Sequence, residues 1–544
     1  LKYNSLIENG QYNIGYLCTE LQCKRGLGEK TAFKFIDSGL GSKEFSFSEL
    51  NKYSNKFANT LIKLGFVKSD VIFTFLPKSP EQFFTFLGIL KTQCIAGTLF
   101  SNFGEDALFD RLIDSGAKCI ITKKSLLKKV LKISDSLKQL KHIIVIDIQE
   151  HINGKILSYK KLIEESNDEY ITPITEENTP SVLHYTSGST GKPKGVLHCH
   201  KSIVLQSYTS ESILNLNKDD VYWCTADQGW VTGTSYGIIG PWSLGVTQIH
   251  FGGAYEVEKW FHIIENEKIT IWYTAPTALR MIMREPDELI KKFNLSSLKH
   301  IFSVGEPLNP EIIHWSNRVF NKDVYDTWFQ TETGSIMISN RPGIEIKLGS
   351  MGKPVGNIKA EILTDDGNEK KTNEIGNLCV ESGWESMFLN YLNNESIYNN
   401  KFKNGFYYSG DLAYKDKDGY FWFIGRNDDV INTAGHLISP FEIESALLEI
   451  PEIAESAIIA APDEILYEKI VAFVRVRNGY EWSDDLELKI RLYLSNKLST
   501  IATPKEILVI DEIPKNRSGK IMRRLLKANY LGTDAGDLST MEIN

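Results

Sequence analysis

The chain has 544 residues, more than one hydrophobic core usually serves, so two or more domains are expected. Its 42% hydrophobic and 24% charged residues suit a globular protein, and a net charge of −8 argues against general binding to nucleic acid or to an anionic membrane. No apolar run exceeds strand length, so no bilayer span is expected, and the seven scattered cysteines read as reduced thiols of a cytoplasmic protein.

The N-terminus shows no charged stretch followed by an apolar core, and thus no visible signal peptide; because residue 1 is Leu and not Met, a preceding segment stays open. Phe45-Ser-Phe-Ser-Glu-Leu50 predicts a strand leading into a helix through Ala58 and Leu61. Residues 70–76 predict a strand stopped by Pro77, Pro80 opens an apolar helix to Thr92, and Ile95 to Leu99 is a strand again. Further buried strands are expected at Lys118–Thr122 and His142–Asp147. Strand and helix alternate, which implies mostly parallel sheets covered by helices.

Tyr185-Thr-Ser-Gly-Ser-Thr-Gly-Lys-Pro-Lys-Gly195 has the chemistry of a phosphate cradle. Glycines let the backbone come close, successive N–H groups face one way, hydroxyls add donors, and Lys192 and Lys194 add charge. It departs from the Walker pattern, because Pro193 follows Lys192 and bars a helix from running on. Apolar pairs on either side place it as a strand-to-strand turn; a flexible polar loop is the alternative. Residues 221–242, with three tryptophans and four glycines, form something tight and aromatic. Trp272-Tyr-Thr-Ala-Pro276 is a strand followed by a helix. Ser303-Val-Gly-Glu-Pro307 is a strand end and turn that suits a flat base as well as it suits a plain connection. Asp326-Thr-Trp-Phe-Gln-Thr-Glu332 joins acid, amide, hydroxyl and aromatic groups; Glu332 is a hard oxygen ligand of the kind Mg²⁺ takes, and Thr331 can donate to a phosphate oxygen. Asp411, in Tyr408-Ser-Gly-Asp411, can accept two vicinal hydroxyls or simply make a turn.

Residues 345–400 read as a β-rich subdomain. Ser439-Pro-Phe-Glu442 predicts a capping box with Pro at the first helical position, and a helix ending before Pro451. Strands are expected at Ala457–Ala460 and, cleanly alternating, at Lys469–Val476. A helix over 485–498 and a strand over 506–510 complete a small α+β module. Lys515-Asn-Arg-Ser-Gly-Lys520 closes it, with Gly519 suggesting a lysine presented on a loop.

From about residue 45 to 528, five motifs in this order resemble the adenylate-forming enzymes, the superfamily of acyl-CoA synthetases, luciferases and peptide-synthetase adenylation domains. Within it, the aromatic block at 221–242 and the 272–280 segment are similar to the branch that activates acetate. The resemblance implies an α/β fold: a large N-terminal domain of helix-covered, mostly parallel sheets plus a β-rich subdomain (1–426), a mobile α+β C-terminal domain (427–531) and a tail (532–544). It implies a two-step ligase that joins acetate to AMP, releases pyrophosphate, and passes the acetyl group to coenzyme A, with ATP and CoA as substrates and Mg²⁺ as cofactor.

By the same resemblance Lys520, Thr331 and Glu332 are the catalytic residues, with Glu332 the metal ligand. Nucleotide binding falls to Thr186, Ser187, Gly188, Ser189, Thr190, Gly191, Lys192, Lys194, Gly305, Glu306, Pro307, Asp326, Thr327, Trp328, Gln330, Asp411 and Arg426. The acyl pocket is Val231, Thr232, Val304 and Phe329, the hinge is Asp428, and the candidates for CoA are Gly435 and Lys497. A lysine acetyltransferase and deacetylase acting on Lys520 are the implied partners, whereas no nucleic acid or membrane is expected and the oligomeric state is not written in the sequence. Two departures matter. Phe329 stands where the acetate branch carries Trp, which keeps propionate or another short acid as an alternative. Leu437 stands where an Arg usually contacts the nucleotide, which keeps open a nucleotide- or acyl-adenylate-binding protein with little turnover.

Overall fold

The computed structural model describes residues 6–187, 193–433, 436–463, 465–516 and 520–535. Two large sheets dominate the first four hundred residues. One orders its nine strands 353–354, 338–339, 324–328, 300–304, 271–274, 221–224, 247–251, 31–36 and 42–46, and the six from 324–328 to 31–36 are parallel. The other runs 390–391, 193–199, 180–187, 95–99, 71–75, 119–122, 142–145 and 156–158, parallel from 180–187 onward. Parallel neighbours need crossovers, which is why the strand–helix alternation of the sequence translates directly into these sheets.

The helix Pro80–Lys91 shows how the two sheets are joined. Residues 82–91 are buried without a break. Phe83, Phe86, Leu87 and Leu90 share one apolar cluster with Phe33 of the first sheet and Ile72 and Ala96 of the second, so this helix is a filling between layers and has no solvent face. Lys91 is the exception in chemistry: its buried ammonium donates to Asn51 Oδ1 at 2.7 Å and to Asn55 Oδ1 at 2.6 Å, and burial lowers its pKa to about 7. The helix Phe47–Lys63 starts at Ser46 with a complete capping box, Glu49 N to Ser46 Oγ at 3.1 Å and Ser46 N to Glu49 Oε2 at 2.9 Å.

A third sheet is antiparallel, ordered 360–363, 376–381, 406–415 and 402–403, with 421–426 also on 406–415. The fourth pairs 436–438, 431–433, 467–476 and 453–463, with 506–509 parallel to 467–476.

Two expectations for this last region change. Ser439 does cap the helix Pro440–Leu448, accepting from Glu442 N at 3.2 Å, but among the described residues Glu442 returns no bond to the Ser439 N–H. The Ser439 hydroxyl instead donates to the Ile424 carbonyl, tying the helix start to the third sheet. The strand Tyr467–Val476 does not alternate: Ile470 to Val474 are all buried. Ile470, Ala472 and Val474 pack into one cluster with the helices 440–448 and 484–497, while Val471 and Phe473 pack with Ile513 and Leu526 on the other face. A strand covered on both faces has no solvent side to alternate with.

Candidate active site

The strand Val221–Cys224 has the strand that follows it, 247–251, on one side and the next, 271–274, on the other. Chain direction over the sheet therefore reverses there, and the carboxyl ends of the strands flank a crevice, the usual place for a ligand in an open α/β sheet. The loops leaving those ends carry the residues singled out in the sequence. Val231 and Thr232 begin the helix after the loop 225–230. Gly233 lets that helix pack on the loop, since a Cβ there would stand 2.1 Å from the Asp227 carbonyl oxygen. Val304 ends the strand His300–Val304, and Phe329 follows the strand Val324–Trp328. Val304 and Phe329 share an apolar cluster with Tyr236 and Tyr273, and the Phe329 ring meets Tyr236 edge-on at 5.4 Å. Tyr236, absent from the sequence prediction, is held by Thr209 Oγ1 at 2.8 Å and by the Ile336 N–H at 2.7 Å.

Asp411 is the knot of the site. It lies inside the strand Phe406–Lys415, so the plain-turn alternative fails, and it is buried. Its Oδ2 accepts from Trp328 Nε1 at 2.9 Å and Gln330 Nε2 at 3.0 Å, and its Oδ1 accepts from Arg426 Nη1 at 3.0 Å. These bonds join the first sheet to the third. Arg426 ends the strand Phe421–Arg426, and the carboxylate beside it raises its pKa, so it is no solvated turn residue. Gly410 has φ +83° and a Cβ there would lie 3.4 Å from Arg426 Nη2 and 3.5 Å from Lys401 Nζ, which leaves glycine as the fitting residue.

Glu332 joins the second sheet to the same place. Tyr391 OH donates to Glu332 Oε1 at 2.7 Å, and Phe388 N donates to the Glu332 carbonyl at 3.2 Å. The Thr331 carbonyl accepts from His198 Nε2 at 2.8 Å. Lys194 Nζ lies 5.8 Å from the centre of the Tyr391 ring. Lys401, which sequence reasoning missed, is within electrostatic reach of Glu332, Arg426, Lys194 and Asp411; burial is the main cause of its lowered pKa. The signal for it was Asn404-Gly405. Both have positive φ, and they turn the chain so that Tyr408 N bonds to the Lys401 carbonyl at 2.8 Å.

Several predicted residues have committed side chains. Thr327 Oγ1 donates to the Ser303 carbonyl at 2.7 Å and pairs with Tyr273 OH at 2.7 Å, leaving its backbone for any ligand. Glu306 is bound by Arg280 Nη2 at 2.5 Å and Thr277 Oγ1 at 2.6 Å, so the turn Gly305–Pro307 offers backbone and ring rather than charge. Asp326 is buried and accepts the Thr327 N–H at 3.0 Å; loss of water raises its pKa to about 8. Asp428 is exposed, 3.9 Å from Arg426 Nε. Lys497 is engaged away from these groups, with Glu449 and with Tyr493 OH at 3.3 Å. Gly188, Ser189, Thr190, Gly191, Lys192 and Gly435 lie outside the described residues, as does the side chain of Ser187; Thr186 pairs across the flanking strands with Lys194.

Lys520 sits on a short hairpin, Lys520 N donating to Asn516 Oδ1 at 2.9 Å and Asn516 N to the Lys520 carbonyl at 2.8 Å. Its side chain reaches solvent, yet Arg426, Asp429 and Asp411 all act on its charge; poor solvation, with Arg426 adding to it, lowers its pKa. A carboxylate knot, a second carboxylate, three cations on the large domain and one on the small domain gather in one place, an arrangement with the charge to take a phosphorylated ligand.

The fold and site define a nucleotide-binding enzyme in two parts. Residues 20–392 match the AMP-binding enzyme family, residues 442–520 match the AMP-binding enzyme C-terminal domain, and the chain belongs to that family. It is 45% identical to the acetyl-coenzyme A synthetase of Bacillus subtilis, over 98% of this chain and 93% of that protein. It is 35% identical to the acetyl-coenzyme A synthetase of Methanothrix thermoacetophila, over 98% of this chain and 85% of the relative. Among solved structures, the anthranilate CoA ligase AuaEII in complex with anthranoyl-AMP superposes with a TM-score of 0.89 at 28% identity, covering 97% of this chain and 99% of that one.

Proposed function

We propose that this chain is an AMP-forming acetate–CoA ligase: acetate attacks the α-phosphate of ATP, acetyl-AMP and pyrophosphate result, and the CoA thiol takes the acetyl group and releases AMP. The observation that supports it most is the Asp411 knot, a buried carboxylate fixed by Trp328, Gln330 and Arg426 beside Glu332. In this reading Asp411 takes the ribose hydroxyls, the 305–307 turn faces the adenine, and Arg426, Lys194, Lys401 and the 186–192 loop face the phosphates.

Both reactants are anions, and charge grows on the phosphoryl oxygens as they meet. Fixed cations and N–H donors in a poorly solvated cleft offset that charge without a side-chain nucleophile, so positioning and electrostatics carry the first step. Lys520 supplies the mobile part of this field and Thr331 a donor to the α-phosphate. Glu332 has the chemistry of a Mg²⁺ ligand: Tyr391 is the one hydrogen-bond donor to its carboxylate among the described residues, and no group of three or more His, Cys, Asp or Glu gathers there. An ion held by one carboxylate and otherwise by phosphate and water suits Mg²⁺, which when bound would neutralise phosphate charge.

For the second step, the small domain turns near Asp428 and withdraws Lys520 so that CoA can enter. Phe329 and Val304 close the acyl pocket to long chains. The enzyme works in the cytoplasm, and acetylation of Lys520 by a lysine acetyltransferase, reversed by a deacetylase, would remove its charge and silence the first step. Among the described residues no helix is long and apolar enough to cross a membrane.

The test is carboxylate-dependent ATP–pyrophosphate exchange with acetate, propionate, butyrate and benzoate, then AMP release on adding CoA. Best exchange with acetate and CoA-dependent AMP release are expected. Best exchange with propionate would move the assignment to the next acid. ATP binding without exchange would favour a binding protein with little turnover, the role that Leu437 in place of Arg leaves open.

A further inference from the structure

We propose that Arg284 of the large domain and the buried carboxylates Glu444 and Glu455 of the small domain are positioning residues for Lys520, together locking its hairpin over the nucleotide site for the first half-reaction. This rests on the role given to Lys520 above. Among the described residues the hairpin is short: its arms are joined by the bridge of Lys515 with Ile521, by the two bonds between Asn516 and Lys520, and by Met522 N to the Pro514 carbonyl at 2.9 Å. It is pinned at both ends by charge. On its first arm Lys515 meets Glu455 Oε2; just past its second, Arg523 Nη2 reaches Glu444 Oε1 at 2.7 Å and Oε2 at 2.6 Å. Both carboxylates are buried, and Glu444 also accepts the Ile458 N–H at 2.8 Å.

Glu455 has a second use. Its Oε1 accepts from Arg475 Nη1 at 3.2 Å and meets Arg284 Nη2, which comes from the other domain, just past the helix Pro276–Ile282. That helix also carries Arg280, bound to Glu306 and, through Nη1 at 3.1 Å, to Asn309 Oδ1. Asn309 Nδ2 then donates to Ser445 Oγ at 2.8 Å on the helix Pro440–Leu448. The turn assigned to adenine and the hairpin of Lys520 thus hang from one helix, by two contacts that cross between domains. A buried ion pair adds little net stability over apolar packing of the same size, and without Arg284 the Glu455 carboxylate keeps Arg475 and Lys515, so the contact fixes geometry more than it adds stability. Arg284 is crowded by Arg280, Arg475 and Arg477, and Glu455 is the anion that lets it approach.

The experiment uses the full-length chain with Arg284→Ala, Arg284→Lys and, as a stronger perturbation, Glu455→Gln. In Arg284→Ala the kcat of acetate-dependent ATP–pyrophosphate exchange should fall roughly tenfold with KM for ATP nearly unchanged. Acetyl-CoA formation from supplied acetyl-AMP should hold, and Arg284→Lys should recover part of the loss. A second readout needs no activity: trypsin should cut within the Lys- and Arg-rich stretch 515–524 several-fold faster in Arg284→Ala than in the wild type, at equal Tm. Wild-type exchange together with wild-type cutting in Arg284→Ala would overturn the proposal, as would equal loss of both half-reactions. A wild type that never exchanges, with faster cutting in the variant, would remove the ligase assignment and leave the lock standing.

Discussion

Replacing Asp411 with Asn tests the centre of the site at almost constant volume. Asp411 accepts on both oxygens, from Arg426 on one and from Trp328 and Gln330 on the other. Asn has one acceptor oxygen and one amide group, so either orientation sets an N–H against a donor. Turned one way it loses Arg426; turned the other it loses Trp328 and Gln330. Hydrogen bonds to a charged group contribute about 1.5–3 kcal/mol each. Arg426 keeps about a third of its side-chain surface in water and regains hydration, which puts the loss near the lower end, about 3 kcal/mol over the bonds broken or weakened. If that falls on the nucleotide-competent geometry, affinity for ATP drops roughly a hundredfold. Calorimetric titration with ATP and a thermal melt measure the two parts. An Asn variant with wild-type ATP affinity and wild-type Tm would refute the account of Asp411 as the organising carboxylate.

Among the described residues Lys520 Nζ makes no hydrogen bond or ion pair in the structure, so Lys520→Ala should leave Tm unchanged while exchange falls about 10²–10³-fold, the cost of one transition-state donor. Thioester formation from supplied acetyl-AMP should survive; equal loss of both steps rejects its role in the first. Phe329→Ala removes the ring that meets Tyr236, and kcat/KM for propionate and butyrate relative to acetate should rise roughly tenfold or more per methylene. An unchanged ratio places the pocket wall elsewhere. Asp326 holds its proton in the folded chain up to about pH 8, while the unfolded chain loses it near the ordinary carboxylate value. Since the fold binds the extra proton, Asp326 makes stability fall as pH rises between those values, by up to about 1.4 kcal/mol per pH unit. Asp326→Asn should remove that slope from Tm measured against pH, and parallel curves would mean Asp326 is ionised in the fold.

The parallel sheets were legible because strands buried on both faces are written as nearly continuous apolar runs, as at Val71–Phe75 where Thr74 is the one polar residue, punctuated by Pro and by helix starts. At Tyr467–Val476 the alternating expectation failed because Ile470 to Val474 are themselves such a run, covered on both faces. Local order also marked the site's parts, since the 326–332, 408–411 and 425–430 stretches each keep chemistry within a few residues. Distance along the chain hid the rest. Asp411 reads as a turn until Trp328 and Arg426 are beside it, and Lys401 as a surface lysine until the Asn404-Gly405 turn folds it toward Glu332. Arg284, Glu444 and Glu455 carry no signal at all, because a carboxylate's role depends on which cations surround it. Those cations arrive from positions 475, 515 and 523 within the small domain and from 284 on the large one, which only tertiary packing brings together. What the sequence determined by itself is what short-range sterics and periodic burial encode; charge acts through space, so its partners were decided by the tertiary structure.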